Sequence, residues 1–528
     1  MTEKFEMVAK TFQGLEGVLA DELRQLGADN VLEGVRMVSF EGDKEMLYRA
    51  NFGLRTALRV LKPFYKFRSN DADDLYEQVK RYDWSTVMKV GQTFAIDSTT
   101  NGEEFRHSRF VTYRVKDAIA DFFMEHEGRR PSIRVTNPDI RLDVHINGDQ
   151  VTLSLDSSGA PLYKRGWRQA QTDAPINEVL AAGIIRLSGW DGQCDLVDPM
   201  CGSGTFLVEA ALIACNINPG VFRQEYAFQR WDDYDAELFD TVYNDDSQER
   251  EFTHKIYGSD IDGKAIAISR ANAKAAGVLK HIELERRDLA DIAEVPAGGV
   301  LITNPPYDQR LHLEDAEAFY SMLGSKLKHV FRGYHAWIIG YNREYYDKIG
   351  LRASVHYPLF NGALECELRE YVIFDGKYDE MRSRGESIRN DDFHGSEDRR
   401  NLVRREFKET FAQDDGKQRS DGDKLRFKRD GDRPRRDGDK PRFKRDGDRP
   451  RREGDKPRFK REGDRPSREG DKPRFKRDGD RPRHEGERRS PRFTPGQGPT
   501  LGEDKEVPII HGRRKSWKRR DLPEEDNT

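Results

Sequence analysis

The first 67 residues alternate between strand-like and helix-like hydrophobic patterns. Apolar side chains at Leu15, Val18, Leu19, Leu23 and Leu26 recur every three to four residues, which is the spacing of one helix face. Runs rich in β-branched and aromatic residues flank this segment, as is typical of strands. The pattern predicts strands over residues 5–12, 31–40 and 58–67 and helices over residues 14–26 and 44–51. Such a run indicates a small α+β module of ferredoxin-like type in residues 1–67.

A second α+β module follows in residues 68–160. Its pattern predicts a helix over residues 73–82, a strand near 93–98 and a helix over 112–125. A hairpin then joins strands 140–146 and 151–155 through the turn Asn147-Gly148-Asp149, whose residue types favour a tight reversal. The two modules together precede a region with a different pattern.

From residue 174 onward, short apolar strands alternate regularly with helices. Strands are predicted over residues 194–199, 255–260, 282–288, 300–304, 335–341 and 368–374, with helices such as 204–214 and 263–276 between them. Continuous apolar runs of this length are typical of strands buried on both faces of a parallel sheet. The sequence therefore predicts a doubly wound, mostly parallel sheet of the α/β class in residues 161–376.

The remaining segment, residues 377–528, contains a repeat. A 16-residue unit, RFKRDGDRPRRDGDKP, starts at Arg426 and recurs with few changes at Arg442, Arg458 and Arg474. One Phe in each unit cannot bury enough apolar surface to offset the entropy of ordering the backbone, so we predict a disordered tail.

Charge is divided unequally between body and tail. Residues 417–528 hold 38 Lys and Arg against 25 Asp and Glu, a net charge of +13. The whole chain carries −4, so residues 1–416 carry −17. A basic tail on an acidic body suits a polyanionic partner such as RNA, although a tail that only keeps the protein in solution explains the pattern equally well.

Composition narrows the class of protein further. No apolar run approaches the ~20 residues of a membrane span, and the first ten residues lack the apolar core of a signal peptide. Four Cys in 528 residues cannot form a disulfide framework. The His residues have no metal-ligand spacing with Cys or acids, so we expect no metal. These features predict a cytoplasmic protein.

Candidate chemistry is concentrated where the predicted parallel strands end. Asp198 is followed by a turn that contains Gly202 and Gly204, and glycines let a backbone approach a ligand closely. A carboxylate at Asp260 can accept hydrogen bonds from both hydroxyls of a ribose, and one at Asp288 can accept from an adenine amino group. For each acid alone, capping of the next helix is the simpler role. Their order at successive strand ends favours a nucleoside site.

The fourth strand ends in Asn304-Pro305-Pro306-Tyr307. The side-chain oxygen of Asn304 and the carbonyl oxygen of Pro305 can accept both hydrogens of an exocyclic amine on a nucleobase, and Tyr307 can stack on that base. The prolines keep the segment rigid. Hydrogen-bond acceptors and alignment can activate such an amine without a strong general base.

These residues resemble the class I S-adenosylmethionine-dependent methyltransferases, and among them the RNA guanine-N2 methyltransferases that carry a THUMP domain. The similarity covers roughly residues 1–376 and is closest to the N-terminal methyltransferase half of the family's fused members. It includes TFQGLE (residues 11–16), VKDAI (115–119), NPDIR (137–141), KRGWR (164–168), DPMCGSGT (198–205) and NGALEC (361–366).

The resemblance implies a seven-stranded Rossmann-like sheet, S-adenosylmethionine as cofactor and large-subunit (23S) ribosomal RNA as partner. It implies catalytic roles for Asn304, Pro305 and Tyr307. The family usually has Gly where this chain has Asp308, which leaves fine substrate choice open. Alternatives are a non-catalytic RNA-binding or ribosome-assembly factor, a transfer RNA guanine-N2 methyltransferase and a DNA adenine methyltransferase.

Two basic clusters stand out in the acidic body and suit contacts with RNA phosphates. The clusters contain Arg106, Arg109, Arg114 and Lys116 in the second module and Lys164, Arg165 and Arg168 in the connector. A solvated helix face is the alternative for the first cluster. The aromatic-rich stretch within residues 216–253 is either a substrate-side loop or a packing insert.

Overall fold

The computed structural model describes residues 3–306, 313–362 and 364–374, which form two sheets. The first part of the chain contains eight strands and four helices within these ranges. They are β1 (Phe5–Lys10), α1 (Glu16–Gln25), β2 (Asp29–Gly34), β3 (Met37–Gly42), α2 (Lys44–Gly53), β4 (Arg59–Arg68), α3 (Ala72–Arg81), β5 (Thr93–Asn101), α4 (Ser108–Glu127), β6 (Ser132–Ile133), β7 (Ile140–Asn147) and β8 (Gln150–Asp156).

One continuous sheet runs through both N-terminal modules, in the order β2-β3-β1-β4-β8-β7-β5-β6. Strand β4 joins the halves because it pairs antiparallel with β1 on one edge and with β8 on the other. The expected single strand over residues 31–40 is wrong. A turn with Arg36 in the left-handed region (φ 59°) splits it into the hairpin β2–β3. Periodicity alone cannot detect such a turn, because neither Val35 nor Arg36 is a typical turn residue.

The second sheet belongs to the C-terminal part of the described chain. Its elements are α5 (Glu178–Leu187), β9 (Leu196–Asp198), α6 (Thr205–Ala214), α7 (Ala236–Tyr243), β10 (Ile256–Asp260), α8 (Gly263–Ala275), β11 (Ile282–Arg286), β12 (Gly299–Thr303), α9 (Leu313–His329), β13 (Tyr334–Gly340), α10 (Arg343–Ile349), β14 (Val355–Asn361) and β15 (Leu364–Val372).

This sheet has seven strands in the order β11-β10-β9-β12-β13-β15-β14. Strands β9 to β13 are parallel, and β15 runs antiparallel to both β13 and β14. The expected doubly wound, mostly parallel sheet is therefore confirmed. The strand order reverses direction next to β9, and ligands of such sheets bind at the carboxyl ends of the strands near that reversal.

The insert between α6 and β10 packs on the N-terminal module. Tyr226 and Phe228 are buried and stack with a ring-centroid separation of 5.1 Å, and Phe228 stacks on Tyr48 of α2 at 4.5 Å. Phe239 of α7 meets Tyr48 edge-on at 5.5 Å. Of the two interpretations left open by the sequence, these aromatic contacts favour the packing insert.

A buried polar cluster also joins the N-terminal module to the helices of the second sheet. Glu22 of α1 accepts hydrogen bonds from the backbone N–H groups of Arg55 (3.3 Å) and Thr56 (2.9 Å), and it forms an ion pair with Arg186 of α5 at 3.0 Å. The guanidinium of Arg55 donates to the carbonyl oxygen of Ile217 at 2.7 Å. Burial, with Arg186 nearby, lowers the pKa of Arg55 to about 10. The cluster fixes the module against the helices that flank the second sheet.

The predicted tail, residues 377–528, and its repeat lie outside the described residues. Within the described ranges, no helix is both long and apolar enough to cross a membrane.

Replacing Glu22 with Ala should destabilise the protein strongly. The variant leaves the Arg55 and Thr56 donors without their acceptor and removes the carboxylate that faces Arg186, so we expect a loss of about 3–5 kcal/mol in the free energy of unfolding. Denaturant unfolding measures this loss. Asp21→Ala, on the more exposed face of the same helix, is the control and should stay within about 0.5 kcal/mol of the unmodified protein. An equal effect for the two variants would contradict the role of the cluster.

Candidate functional site

The predicted site residues lie side by side at the carboxyl edge of the second sheet, where its parallel strands end. Asp260 ends β10, Asp198 ends β9, Asp288 follows β11, and Asn304 follows β12. Since these strands are parallel neighbours, the residues lie along the edge in the order Asp288, Asp260, Asp198 and Asn304. The structure thus brings the acids and the Asn304 segment together at the place where this fold binds ligands.

The glycine turn after β9 is held by hydrogen bonds to its neighbours. The N–H of Gly202 donates to Oδ2 of Asp260 at 2.9 Å, and Ser269 Oγ of α8 donates to the carbonyl oxygen of Gly202 at 2.8 Å. Gly204 starts α6 in the left-handed region (φ 76°), and a Cβ there would lie 2.8 Å from Ser269 Oγ. Position 204 therefore requires glycine, because the glycine turn packs directly against α8.

Asp198 connects the glycine turn to the Asn304 segment. It is 1% exposed, and its Oδ1 accepts from Thr303 Oγ1 at 2.8 Å and from the N–H of Met200 at 3.2 Å. Burial raises the pKa of Asp198 to about 7, and the nearby negative charge of Asp260 acts in the same direction. Thr303 precedes Asn304 directly, so this bond fixes the start of the Asn304 segment beside the turn.

The other two acids have local partners as well. Asp260 accepts through Oδ1 from the N–H of Asp262 at 2.9 Å, besides its bond to the glycine turn. Asp288 accepts from the N–H of Ala290 at 2.9 Å and caps the short helical turn that follows. Ile261, beside Asp260, is 63% exposed, which is unusual for a large apolar side chain in a half-buried edge. In the sequence, the only sign of a role for Ile261 is its position directly after Asp260.

The structure describes only part of the segment Asn304-Pro305-Pro306-Tyr307. Asn304 and Pro306 are half-buried and Pro305 is buried. Tyr307 and Asp308 lie outside the described residues, so the predicted stacking by Tyr307 stays a prediction.

Arg165, a connector residue expected to contact RNA, is structural instead. Arg165 is 2% exposed, forms an ion pair with buried Glu209 at 3.3 Å and donates to the carbonyl oxygen of Leu162 at 3.0 Å. The prediction for Arg165 is wrong, because a side chain enclosed in this way cannot reach a phosphate.

Arg168 is also used inside the protein. Its guanidinium forms an ion pair with Glu178 at 2.7 Å and donates to Ser203 Oγ at 3.1 Å and Thr205 Oγ1 at 2.9 Å. Through these bonds Arg168 braces the start of α6 and the glycine turn. It stays partly exposed, so its expected RNA contact remains a prediction. Asn272 of α8 acts similarly by donating to the carbonyl oxygen of Ser203 at 2.9 Å.

The other predicted RNA-binding residues lie at the surface. Arg106, Arg109 and Lys164 are exposed. Arg114 forms an ion pair with Asp73, and Lys116 forms one with Asp117 at 2.6 Å. Exposed Phe110 and Tyr113 accompany Arg109 on α4, with the guanidinium of Arg109 5.9 Å from the centre of the Tyr113 ring.

Among the residues that the structure describes, no group of three or more His, Cys, Asp or Glu is placed to hold a metal ion.

Comparison with known families agrees with this architecture. Residues 6–61 match a family described as the RlmL ferredoxin-like domain, and residues 69–156 match the THUMP domain. Residues 165–370 match the RMKL-like methyltransferase domain. The fold and the strand-end site thus define a Rossmann-like methyltransferase of the S-adenosylmethionine-dependent class.

Whole-chain comparison identifies the family. The chain is 38% identical to a Synechocystis sp. protein assigned as an RNA methyltransferase, slr0064, over 69% of this chain and 96% of that protein. It is 41% identical to ribosomal RNA large subunit methyltransferase K/L of Syntrophotalea carbinolica, over 72% of this chain and 55% of the relative. The chain belongs to the THUMP-containing, RMKL-like methyltransferase family, and it spans about half the length of the K/L relatives it matches.

A solved structure supports the same assignment. SMU.472, assigned as a methyltransferase and solved in complex with SAH, is 29% identical and superposes with a TM-score of 0.63. The similarity covers 71% of this chain and all of that protein (100%).

Asp198→Asn should change how stability depends on pH. The folded-state pKa of Asp198 lies at about 7, above the usual ~3.9, so the folded protein binds a proton that the unfolded chain releases. Stability from this group is therefore present at low pH and is lost as pH rises from about 4 through 7. The neutral Asn avoids this loss while it keeps an acceptor oxygen for Thr303.

We expect the stability of the variant relative to the unmodified protein to rise by up to about 1.4 kcal/mol for each pH unit between 5 and 7. Denaturant unfolding at pH 5, 6, 7 and 8 measures the difference. Asp291→Asn, an exposed carboxylate near the same edge, is the matched control. A difference that stays constant across this range would contradict the buried, proton-binding state of Asp198.

Proposed function

We propose that this protein transfers a methyl group from S-adenosylmethionine to the exocyclic N2 of a guanosine in 23S ribosomal RNA. The observation that carries the proposal is the bond from Thr303 to Asp198, because it places the Asn304 segment directly beside the glycine turn. A cofactor on the turn and a nucleobase on the segment would then meet at one point of the sheet edge.

The residues around the turn suit an adenosyl group. The half-buried carboxylate of Asp260 is oriented by the Gly202 and Asp262 N–H groups and can accept both ribose hydroxyls. The exposed side chain of Ile261 offers an apolar surface for the adenine ring, and Asp288 can accept from its amino group. This donor and acceptor set, with an otherwise unexplained exposed isoleucine, fits the cofactor. When bound, S-adenosylmethionine supplies an electrophilic methyl group on a sulfonium.

On the substrate side, Asn304 and Pro305 accept the two hydrogens of the guanine amine. These bonds direct the nitrogen lone pair towards the methyl carbon and favour the tetrahedral shape that the nitrogen must adopt. The bound cofactor would supply the methyl carbon and keep the electron pair of its C–S bond on sulfur, and the amine held by Asn304 and Pro305 would release one proton to solvent. Tyr307 supports the base by stacking.

The choice of RNA rests on the family. Its relatives of the K/L type are named for ribosomal RNA of the large subunit, and a THUMP domain precedes the methyltransferase domain in this chain. The exposed cations Arg106, Arg109 and Lys164 can contribute phosphate contacts.

Asp260→Ala should weaken cofactor binding. The substitution removes the acceptor for two ribose hydroxyls and releases the Gly202 N–H, and hydrogen bonds to a carboxylate suggest a loss of about 2–4 kcal/mol. Isothermal calorimetry with S-adenosylmethionine measures the affinity, and circular dichroism checks the fold. Asp291→Ala removes a nearby exposed carboxylate and is the control. Unchanged affinity in a folded Asp260→Ala variant would refute the ribose role.

Asn304→Ala should slow methyl transfer while it leaves cofactor affinity nearly intact. One lost acceptor in a preorganised site commonly lowers the rate by about 10²–10³. The rate is measured with an in vitro transcript of 23S ribosomal RNA, and the product nucleoside is identified by mass spectrometry.

N2-methylguanosine is the expected product for the unmodified protein. N6-methyladenosine would instead assign the site to adenine, which shares the Asn-Pro-Pro-Tyr motif. If Asn304→Ala methylated RNA at the unmodified rate, amine activation by Asn304 would be excluded.

A further inference from the structure

A cavity of about 550 Å³ lies where three separate parts of the chain meet. Phe12 comes from the turn after β1 in the N-terminal module, Tyr163 and Lys164 come from the connector, and Asn361 comes from the end of β14. Arg168 and Glu178 line it as well. None of the roles assigned above uses this cavity, although it touches the methyltransferase domain on one side and the N-terminal module on the other.

Sheet topology locates the cavity relative to the cofactor residues. Strands β13 and β14 are both antiparallel to β15, so they are parallel to each other, and Asn361 lies at the same carboxyl edge as Asn304. In the strand order, β12 stands between β9 and β13. The cavity is therefore on the opposite side of Asn304 from Asp260 and Asp288. Arg168 connects it to the cofactor side, because its guanidinium reaches Ser203 and Thr205 at the glycine turn.

The chemistry of methyl transfer favours one occupant for this space. The attacking nitrogen must approach the methyl carbon from the side opposite the sulfur, so a substrate that meets the cofactor at Asn304 must extend away from Asp260. We propose that the cavity holds the nucleotide of the RNA next to the target nucleotide, with its base against Phe12 and Tyr163 and a phosphate at Lys164. This inference rests on the proposed function, and it adds residues from the N-terminal module and the connector to the substrate site.

The side chains of the cavity suit an RNA nucleotide. Phe12 and Tyr163 are half-buried aromatic rings, and base stacking on such rings is a general means of holding an unpaired nucleotide. Lys164 is exposed, and its ammonium forms no ion pair with any residue in the described ranges. The carboxylate of Glu178 would repel a phosphate, but its ion pair with Arg168 neutralises it.

The position of Phe12 is fixed by close packing of its turn on β14. A Cβ at Gly14 would lie 2.6 Å from the carbonyl oxygen of Pro358 and 2.9 Å from Cδ2 of Leu359, so the backbones touch with no room for a side chain. Leu15 is fully buried beside α5, where a Cβ at Gly183 would lie 2.5 Å from its Cδ1. The N-terminal module therefore forms a rigid wall of the cavity.

The experiment compares four variants of the full-length protein: Lys164→Ala, Tyr163→Ala, Tyr163→Phe and Lys274→Ala. Lys274 is exposed in the last turn of α8, at the opposite edge of the sheet, and matches the charge change of Lys164→Ala. RNA affinity is measured by filter binding to the 23S transcript in the presence of S-adenosylhomocysteine over a salt series. Cofactor affinity is measured by calorimetry, and KM and kcat are measured for methyl transfer.

Lys164→Ala should raise the RNA dissociation constant about five- to tenfold at low salt and reduce the slope of log affinity against log salt by about one. Tyr163→Ala should lower kcat/KM for RNA about 5- to 150-fold, while Tyr163→Phe, which keeps the ring, should recover most of that loss. Lys274→Ala should behave like the unmodified protein, and cofactor affinity should change less than about twofold in every variant.

Two results would overturn the proposal. One is RNA affinity, salt slope and kcat/KM equal to those of the unmodified protein in both Lys164→Ala and Tyr163→Ala. The other is a tenfold or greater loss of cofactor affinity in Tyr163→Ala, which would assign the cavity to the cofactor. Lys164 is exposed, so the Lys164→Ala variant should fold. Its RNA affinity and salt slope decide the test even if Tyr163→Ala fails to fold. Failure of the proposed function is a separate result: the unmodified protein would then bind RNA without methylating it.

Discussion

The hydrogen bond from Thr303 to the buried carboxylate of Asp198 is the constraint on which the site depends. It links the ends of two adjacent central strands, β9 and β12, and each strand leads directly into a functional segment. A carboxylate that is 1% exposed needs its hydrogen-bond donors, since burial without them would cost several kcal/mol. The glycine turn and the Asn304 segment are thus held in one relative position, which the proposed methyl transfer requires.

The N-terminal module is part of the same structural unit as the methyltransferase domain. The ion pair between Glu22 and Arg186 and the aromatic insert around Phe228 each bury contacts that a flexible tether would leave to water. Buried charges stabilise an interface only when all their partners are present, so such a cluster favours one docked arrangement over many. For the proposed function this means that the ferredoxin-like module, besides the THUMP domain expected to bind RNA, can shape the substrate site, because its docking places Phe12 at the cavity.

The length of the match differs between the two kinds of relative. The chain aligns with about half of each K/L relative, whereas it covers nearly all of the Synechocystis protein. In this chain the ferredoxin-like, THUMP and methyltransferase domains follow one another over residues 6–370, which agrees with the continuous eight-stranded sheet and with the buried contacts between that sheet and the second one.

The sequence by itself determined the parallel sheet and the residues at its carboxyl edge. Buried strands are short apolar runs, and a polar residue directly after such a run can lie only at the edge. Asp198, Asp260, Asp288 and Asn304 could therefore be placed from the sequence alone.

Tertiary structure decided the rest. Arg165 and Lys164 are adjacent and chemically alike, yet one is enclosed with Glu209 and the other faces solvent, since burial depends on segments distant in sequence. The hairpin at Arg36, the packing of the insert on α2 and the cavity at Phe12 have the same origin. Each depends on contacts between residues far apart in the chain, which local periodicity does not encode.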